Sequence, residues 1–275
     1  MRTSVYTSLF NYDPEKFDLF GAFKNWSKYS DEIVIATFED QREGLEGVVA
    51  KVFLDYNGKD DFYNRFKIVS CLDTSLDDPL FDGKLKNAAL QACSNELVIQ
   101  QDMDERIGGD TEQWDTLKYV LKNRKAPHAA MIQVIDLYKD FDHYKGVGAK
   151  WYLHLKEKSN RGPVYFARRG DGSIDTNKSD SCELIDENGD LIPYFIDPRF
   201  AQLFTNKEIE SFDISMPHVI HLGYVDLNKR IENNKFWQPI WSNRNGEEVK
   251  TAVSLEQLEK ENKYFKHKQK SPWWV

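Results

Sequence analysis

The chain has 275 residues, a formal net charge of −8 and a sequence pI of about 5.4. This length allows one large domain or a domain with a small appendage, and a hydrophobic content of 40% allows a sizeable core. The acidic balance disfavours a protein whose main task is to grip nucleic-acid phosphates, although a local basic patch would still permit such contacts.

The cysteine content and the apolar runs predict the compartment. Cys71, Cys93 and Cys182 are widely spaced and match neither a zinc pattern nor a disulfide framework, so a reducing cytoplasm is expected. The apolar run near the N-terminus is too short for a signal peptide, and no window approaches about 18 uninterrupted apolar residues. We therefore expect a cytoplasmic protein without a membrane span. The sequence does not indicate an oligomeric state.

Predicted strands and helices alternate through the first 125 residues. In the first helix Asp13 is the expected N-cap and Pro14 the first helical residue. Strands are predicted at 4–10, 32–38, 66–71 and 97–101, and helices at 13–29, 42–56, 82–93 and 111–123. Buried strands that alternate with helices indicate βαβ units and a parallel sheet, so the predicted fold class is α/β.

The pattern changes after about residue 125. Strands are predicted at 129–138, 150–156, 163–168 and 218–224, and helices at 226–236 and after the capping-box sequence that begins at Ser254. Turns are predicted at Gly170-Asp-Gly-Ser and Glu187-Asn-Gly-Asp. This half is expected to form a mixed or antiparallel layer with long loops.

Three acidic residues follow the fourth predicted strand: Asp102, Asp104 and Glu105. If strand geometry continues, the side chains of Asp102 and Asp104 point to the same side. Two carboxylates at the end of a buried strand repel each other, and Mg²⁺ or Mn²⁺ removes that penalty. Because open α/β sheets bind ligands at the carboxyl ends of their strands, these residues predict a metal site for a nucleotide diphosphate. The alternative is a solvated acidic turn.

The segment from Lys84 to Glu105 combines a helix with a basic start, small residues, a strand and an Asp-x-Asp motif. This combination resembles the GT-A glycosyltransferases, in particular the family 2 type. The resemblance covers about the first 125 residues and returns at 218–226. It implies a Rossmann-like, mainly parallel central sheet flanked by helices. It also implies that residues 1–125 bind a nucleotide sugar and that the β-rich and helical residues 126–275 form the acceptor side of the same compact domain.

The resemblance also implies roles for single residues. Asp104 would bind the Mn²⁺ or Mg²⁺ ion, and Asp102 would face the donor ribose or share in the metal shell. His221 would complete the metal shell, with His218 as the competing candidate. The residues expected to contact the nucleotide part of the donor are Thr7, Ser8, Glu39 or Asp40, Asp73, and Lys84 or Lys86.

Sugar transfer also requires the acceptor hydroxyl to lose a proton, which calls for a positioned carboxylate if the configuration inverts. Asp180 and Glu183 are the candidates for this catalytic base because they lie in a loop-rich part of the second half, with Asp140 and Asp142 as further candidates. The acidic motif that family members usually carry before the acceptor-side helix is not clear in this chain. Inverting and retaining chemistry therefore both stay open.

The expected function is a metal-dependent glycosyltransferase that uses a nucleotide diphosphate sugar, with a glycan, lipid, protein or modified nucleobase as acceptor. A nucleotidyltransferase acting on a sugar phosphate is one alternative. Those enzymes usually carry a glycine-rich loop after the first strand, where this chain has Leu9-Phe-Asn-Tyr-Asp-Pro14. A non-catalytic nucleotide- or carbohydrate-binding module is another. The basic, aromatic tail after Lys263 leaves nucleic-acid contact open.

Overall fold

The computed structural model describes residues 1–11, 18–54, 64–78, 80–165, 179–195, 213–245, 248–261 and 265–266. The predicted cap at Asp13, the predicted turn at Gly170 and the terminal tryptophans Trp273 and Trp274 lie outside these residues. In chain order the strands are Thr3–Ser8 (β1), Glu32–Phe38 (β2), Phe66–Cys71 (β3), Leu97–Gln100 (β4), Glu105–Gly108 (β5), Ala129–Tyr138 (β6), Asp140–Leu155 (β7), Asn160–Tyr165 (β8), Ser179–Ile185 (β9), Tyr194–Phe195 (β10), His218–Tyr224 (β11) and Phe265–Lys266 (β12).

The α-helices are Leu19–Trp26 (α1), Arg42–Leu54 (α2), Phe81–Ala92 (α3), Thr111–Lys122 (α4), Leu227–Asn245 (α5) and Leu255–Glu261 (α6). The first helix begins later than predicted because Asp18 caps it: the backbone N–H of Gly21 donates to Asp18 Oδ1 at 2.9 Å. The predicted capping sequence does begin α6, where the backbone N–H of Gln257 donates to Ser254 Oγ at 3.3 Å. In the described residues, no helix is long and apolar enough to cross a membrane.

The central sheet has the strand order β3-β2-β1-β4-β7-β6-β11-β5. Strands β3, β2, β1 and β4 run parallel to one another. Strand β7 runs antiparallel to both β4 and β6, and β11 is parallel to β6, so β1, β4 and β11 all point in one direction. The second half of the chain therefore extends the same sheet instead of forming a separate layer. Strands β8 and β9 form a small sheet of their own.

Helices cover both faces of this sheet because alternate strand residues point to opposite sides. On one face, Val5, Ile33, Ile35, Leu97 and Ile99 pack in a core with apolar side chains of α1, α2 and α4. On the other face, Tyr6, Val34, Ala36 and Val98 pack with α3 and with Trp237 of α5. The expected fold class is confirmed: the protein is a mixed α/β structure with a mainly parallel central sheet flanked by helices, which is consistent with a Rossmann-like GT-A fold.

The chain does not continue as a strand through the acidic motif. Strand β4 ends at Gln100, and a turn closed by the backbone N–H of Glu105 donating to the carbonyl of Asp102 at 2.9 Å leads into β5. Strand β5, which the sequence did not predict, pairs antiparallel with β11. The expected strand alternation of Asp102 and Asp104 is therefore wrong, and the turn instead aims the two carboxylates at different partners.

Candidate functional site

A cleft of about 600 Å³ opens where the carboxyl ends of β1 and β4 meet β11 and the first turns of α5. This volume is in the range typical of small-molecule sites. Its polar wall is formed by Ser8, Asn11, Asp82, Lys86, Asp102, Asp104, Lys150, His221, Lys229, Arg230, Glu232 and Asn233. Its apolar wall is formed by Leu9, Phe10, Met103, Phe236, Trp237 and Trp241. The cleft thus joins a strongly charged region to an aromatic one.

The charged region centres on a row of three side chains, Asp104, His221 and Asp136. His221 Nε2 lies 3.2 Å from Asp104 Oδ2, and His221 Nδ1 lies 2.7 Å from Asp136 Oδ1. Strand pairing produces this row, because His221 is the register partner of Asp136 on β6 and of Glu105 on β5. The backbone N–H of Leu222 also donates to the carbonyl of Asp104 at 2.7 Å, which fixes the turn against β11.

The electrostatics of this row favour its charged forms. Burial alone would lower the pKa of His221, but Asp104 and Asp136 outweigh it and hold that pKa well above its usual value. Burial alone would raise the pKa of Asp104, but the neighbouring imidazolium and its hydrogen bond hold that pKa well below its usual range. Asp104 is therefore a carboxylate, and the imidazole ring is oriented from behind by a second carboxylate.

Gly223 lets the Asp104–His221 pair lie directly against the backbone that follows His221. A Cβ at Gly223 would lie 2.5 Å from His221 Nε2 and 2.9 Å from Asp104 Oδ2. Any larger residue would therefore clash with the pair and displace one or both side chains. In the sequence, only its position two residues after His221 pointed to a role for this glycine.

A second network ties Asp102 to α3. Lys86 Nζ lies 2.9 Å from Asp102 Oδ1 and 3.5 Å from Asp82 Oδ2. The hydroxyl of Ser8 donates to Asp82 Oδ1 at 3.1 Å, and Gln100 Nε2 donates to Asp102 Oδ1 at 2.9 Å. Asp102 thus turns toward Lys86, while Asp104 turns toward His221, although both carboxylates line the same cleft.

Glu105 lies beneath this turn and holds it. The backbone N–H of Asp102 donates to Glu105 Oε2 at 2.8 Å, and the hydroxyl of Tyr152 donates to Glu105 Oε1 at 2.5 Å. Burial and the neighbouring Asp102 raise the pKa of Glu105 to about 7. Glu105 does not line the cleft, so its role here is to shape the backbone that presents the two aspartates.

The start of α5 brings cations to the cleft. Asp226 caps the helix, since its Oδ1 accepts from the backbone N–H groups of Asn228 and Lys229 at 3.0 and 3.1 Å. Arg230 Nη2 donates to the hydroxyl of Tyr224 at 3.0 Å, and the guanidinium carbon lies 4.3 Å from the centre of that ring. Arg230 is also near enough to Asp104 to help lower the pKa of that carboxyl. The sequence reasoning missed both Lys229 and Arg230.

The structure brings together part of the predicted site. Ser8, Lys86, Asp102, Asp104 and His221 all line the cleft. Thr7 is fully buried beside it. The described lining of the cleft does not include the other four predicted residues, Glu39, Asp40, Asp73 and Lys84. The three acids among them are exposed, and Lys84 pairs with Asp78 at 2.6 Å.

The described lining of the cleft includes none of the candidates for a catalytic base. Asp180 and Glu183 belong to β9, which pairs with β8 and packs against α3 and α5. Their side chains lie outside the described residues. Asp140 and Asp142 are exposed on β7, where Asp140 contacts His143. His218, the competing metal ligand, is buried and its Nδ1 donates to the carbonyl of Met216 at 2.8 Å.

The donor set limits how a cation can bind. The described part of the chain contains no group of three or more His, Cys, Asp or Glu side chains that could hold a metal ion. Asp104 and His221 nevertheless provide one carboxylate oxygen and, once His221 gives up its Nε2 proton, one imidazole nitrogen at the wall of the cleft. Such a pair fits Mn²⁺ or Mg²⁺ only when water or substrate phosphates supply the other ligands.

No model of a known protein family and no curated protein matches the sequence. Among solved structures, S. aureus TarS 1–349 matches with 19% identity and a TM-score of 0.31, covering 51% of this chain and 36% of that one. The same protein in complex with UDP matches with 18% identity and a TM-score of 0.30, at 51% and 36% coverage. The chain thus spans about a third of that TarS fragment.

A second protein gives a similar TM-score over more of the chain. The 4-diphosphocytidyl-2C-methyl-D-erythritol synthase of Anaerococcus prevotii matches with 13% identity and a TM-score of 0.31, covering 91% of this chain and 78% of that one. Likenesses at this level do not assign an activity, so the function must follow from the site itself.

Proposed function

We propose that this protein is a metal-dependent glycosyltransferase that moves a sugar from a nucleotide diphosphate sugar to an acceptor hydroxyl. The observation that supports it is the Asp104–His221 pair inside a cleft that also holds four cationic side chains. Those cations are Lys86, Lys150, Lys229 and Arg230. Four carboxylates, those of Asp82, Asp102, Asp104 and Glu232, line the same cleft, so a diphosphate that binds together with a divalent cation matches both signs of charge.

Asp104 and His221 would hold a Mn²⁺ or Mg²⁺ ion, and Asp136 would keep His221 Nε2 turned toward it. When bound, such an ion neutralises the charge that develops on the departing diphosphate. Lys229 and Arg230, at the start of α5, would attract the same phosphates and hold the donor in place. These assignments give the leaving group a cationic environment on two sides.

The Lys86 network suggests a separate role for Asp102. Because Lys86 and Gln100 both contact Asp102 Oδ1, this carboxylate is held in one position at the edge of the cleft. We assign it to hydrogen bonding with the donor ribose, with Ser8 and Thr7 at the adjoining end of β1. Lys86 then acts mainly by fixing Asp102 and Asp82.

The acceptor hydroxyl must transfer its proton to a base. Asp180 and Glu183 stay the proposed candidates because the backbone of β9 packs against α3 and α5, two helices that line the cleft. The acceptor would then enter between this small sheet and α5.

The region after β1 distinguishes this proposal from a nucleotidyltransferase. Phe10 and Asn11 from that segment line the cleft, where a nucleotidyltransferase usually presents a glycine-rich loop to a triphosphate. No described residue near β1 reproduces such a loop.

A panel of nucleotide sugars tests the proposal. The protein is incubated with each donor and Mn²⁺ or Mg²⁺, and both thermal stabilisation and donor hydrolysis are measured, because a ligand that binds only the folded state raises its stability. We expect one class of donor to respond, with loss of the response in Asp104→Ala but not in Glu112→Ala, which changes an exposed acid on α4. Turnover of a nucleoside triphosphate with a sugar phosphate would instead establish the nucleotidyltransferase reaction.

A further inference from the structure

The aromatic wall of the cleft has no role in the metal and phosphate chemistry described above. Trp237 stacks on Phe81 with ring centres 5.6 Å apart and planes inclined by 11°. Trp241 stacks on Trp237 at 5.9 Å and 15°. Phe81 is fully buried, Trp237 and Trp241 are half-buried, and the last two line the cleft. The stack thus starts in the core and ends at the ligand space.

Two further rings complete the wall. Phe10, just past the carboxyl end of β1, meets the edge of Trp237 at 6.0 Å and 83°. Phe236 packs edge-on against Trp237 at 5.4 Å and keeps 38% of its surface exposed. Trp241 stacks on Trp237 and also lines the cleft, so part of its half-buried indole ring faces the ligand space.

Three rings of the wall, Phe236, Trp237 and Trp241, and the phosphate-facing cations belong to one helix. Along α5, Trp237 lies seven residues after Arg230 and Trp241 eleven residues after it, which corresponds to about 10 and 16 Å of helix. Lys229, Asn233, Trp237 and Trp241 follow one another at four-residue spacing and all line the cleft. A ligand along this face would meet cations first, then an amide, then indole rings.

We propose that Trp241 and Phe236, supported by Trp237, bind the planar base of a nucleoside diphosphate by stacking. The inference rests on the proposed function, since it takes the charged end of the cleft as the diphosphate site. It replaces the polar base contacts expected from Glu39 and Asp73, which the described lining of the cleft does not include. A flat heterocycle suits stacked indoles, and Phe10 places the wall at the strand end where α/β sheets bind ligands.

A comparison of nucleoside diphosphate with inorganic pyrophosphate tests the aromatic end of the cleft separately from its charged end. Calorimetric titrations with Mn²⁺ present give the dissociation constant of each ligand for the wild-type protein, Trp241→Ala, Trp241→Phe and Tyr119→Ala. Base–aromatic stacking contributes about 1–3 kcal/mol per base, which is a factor of about 5 to 150 in affinity. We expect the wild-type protein to bind the nucleoside diphosphate more tightly than pyrophosphate by a factor in that range.

Trp241→Ala should lose most of this difference and leave pyrophosphate affinity unchanged. Trp241→Phe should lose less, because it keeps a smaller ring and the support of the stack. Tyr119→Ala removes an aromatic ring that is 64% exposed on α4, outside the cleft, and should change neither constant. A melting curve of each variant confirms that it is folded.

Three results would overturn the inference. Equal wild-type affinity for the two ligands would show that the base is not bound, while the diphosphate site would stand. An unchanged nucleoside diphosphate affinity in both Trp241 variants would show that the base binds elsewhere. The aromatic wall would then bind another ring, such as that of an acceptor saccharide. Binding of neither ligand by the wild-type protein would remove the proposed function itself.

Discussion

Asp136 and His221 face each other across neighbouring parallel strands, and Asp136 Oδ1 lies 2.7 Å from His221 Nδ1. The contact leaves Nε2 of the same ring directed at Asp104. Carboxylates that accept from the far nitrogen of a metal-binding histidine fix its ring orientation and raise its basicity. Asp136 therefore acts on the cleft through His221 without lining the cleft itself.

Asp136→Ala should weaken Mn²⁺ binding about 10- to 100-fold in the presence of a nucleoside diphosphate, because His221 loses its orienting partner. Asp136→Asn keeps a neutral acceptor and should lose less. Electron paramagnetic resonance of free Mn²⁺ measures the effect, with Asp142→Ala as the control, since Asp142 is an exposed acid on β7. Equal affinities in the wild-type protein and Asp136→Ala would show that the contact does not serve a metal.

Gly223 offers a steric test of the same site. A methyl group at this position would lie 2.5 Å from His221 Nε2, so Gly223→Ala should displace the imidazole ring. We expect at least a ten-fold loss of Mn²⁺ affinity, together with an overpacking cost of about 1–3 kcal/mol in the free energy of unfolding. Gly148→Ala on β7 is the matched control, because a Cβ there meets nothing within 4 Å. If both variants bind Mn²⁺ like the wild-type protein, the cation does not sit beside Gly223.

Two lysines on α3 should differ sharply in their effect on stability. The Lys86 side chain is 9% exposed and contacts both Asp82 and Asp102, whereas that of Lys84 is 47% exposed and pairs with Asp78. Loss of one partner from a fully buried ion pair costs about 3–5 kcal/mol, and the 35% exposure of Asp102 reduces that figure to about 2 kcal/mol for Lys86→Met. Lys84→Met should cost less than about 1 kcal/mol.

Urea denaturation of both lysine variants measures these free energies of unfolding. The sequence alone could not separate the two residues, because they stand two positions apart at the start of the same helix. A similar loss of unfolding free energy in both variants would mean that the Lys86 network stabilises the fold no more than a surface ion pair does.

Sequence patterns predicted the elements whose signals are local. The bounds of β2, β3, β6 and β11 agree with the predicted ranges, since each is a short run of apolar and β-branched residues. The predicted range 226–236 was too short for α5, because Pro239 lies within the helix and the pattern beyond Phe236 is weakly amphipathic. The extra turns carry Trp237 and Trp241, so the aromatic wall was not predicted.

The sequence predicted only those site residues that a single segment of the chain can reveal. Asp102, Asp104 and His221 were predicted because a strand end and a family-like motif mark them, and all three line the cleft. Asp136 was missed because it contacts His221 through strand pairing over 85 residues of sequence. Glu39 and Asp73 follow strands whose ends point toward the same edge, yet the turns after these strands carry both side chains into solvent. Long-range register and turn geometry decide these positions, and neither is visible in local patterns.

The buried His154 predicts how stability depends on pH. The hydroxyl of Ser159 donates to the carbonyl of Leu155, so Ser159 accepts from His154 Nδ1, and the hydroxyl of Tyr6 donates to His154 Nε2 at 2.9 Å. This arrangement requires the neutral ring. Burial, with a contribution from Arg161, lowers the pKa of His154 to about 3.

Because the folded-state pKa of His154 is below the unfolded value of about 6.5, the unfolded chain takes up a proton first as the pH falls. The stabilisation from the neutral ring is complete above pH 6.5 and is lost progressively as the pH falls toward 3, by about 1 kcal/mol per pH unit. Urea denaturation at pH 7, 6, 5 and 4 should show this loss in the wild-type protein. In His154→Gln, which has no proton to take up, the slope should be smaller by about that amount, and an identical slope would show that His154 is not the group responsible.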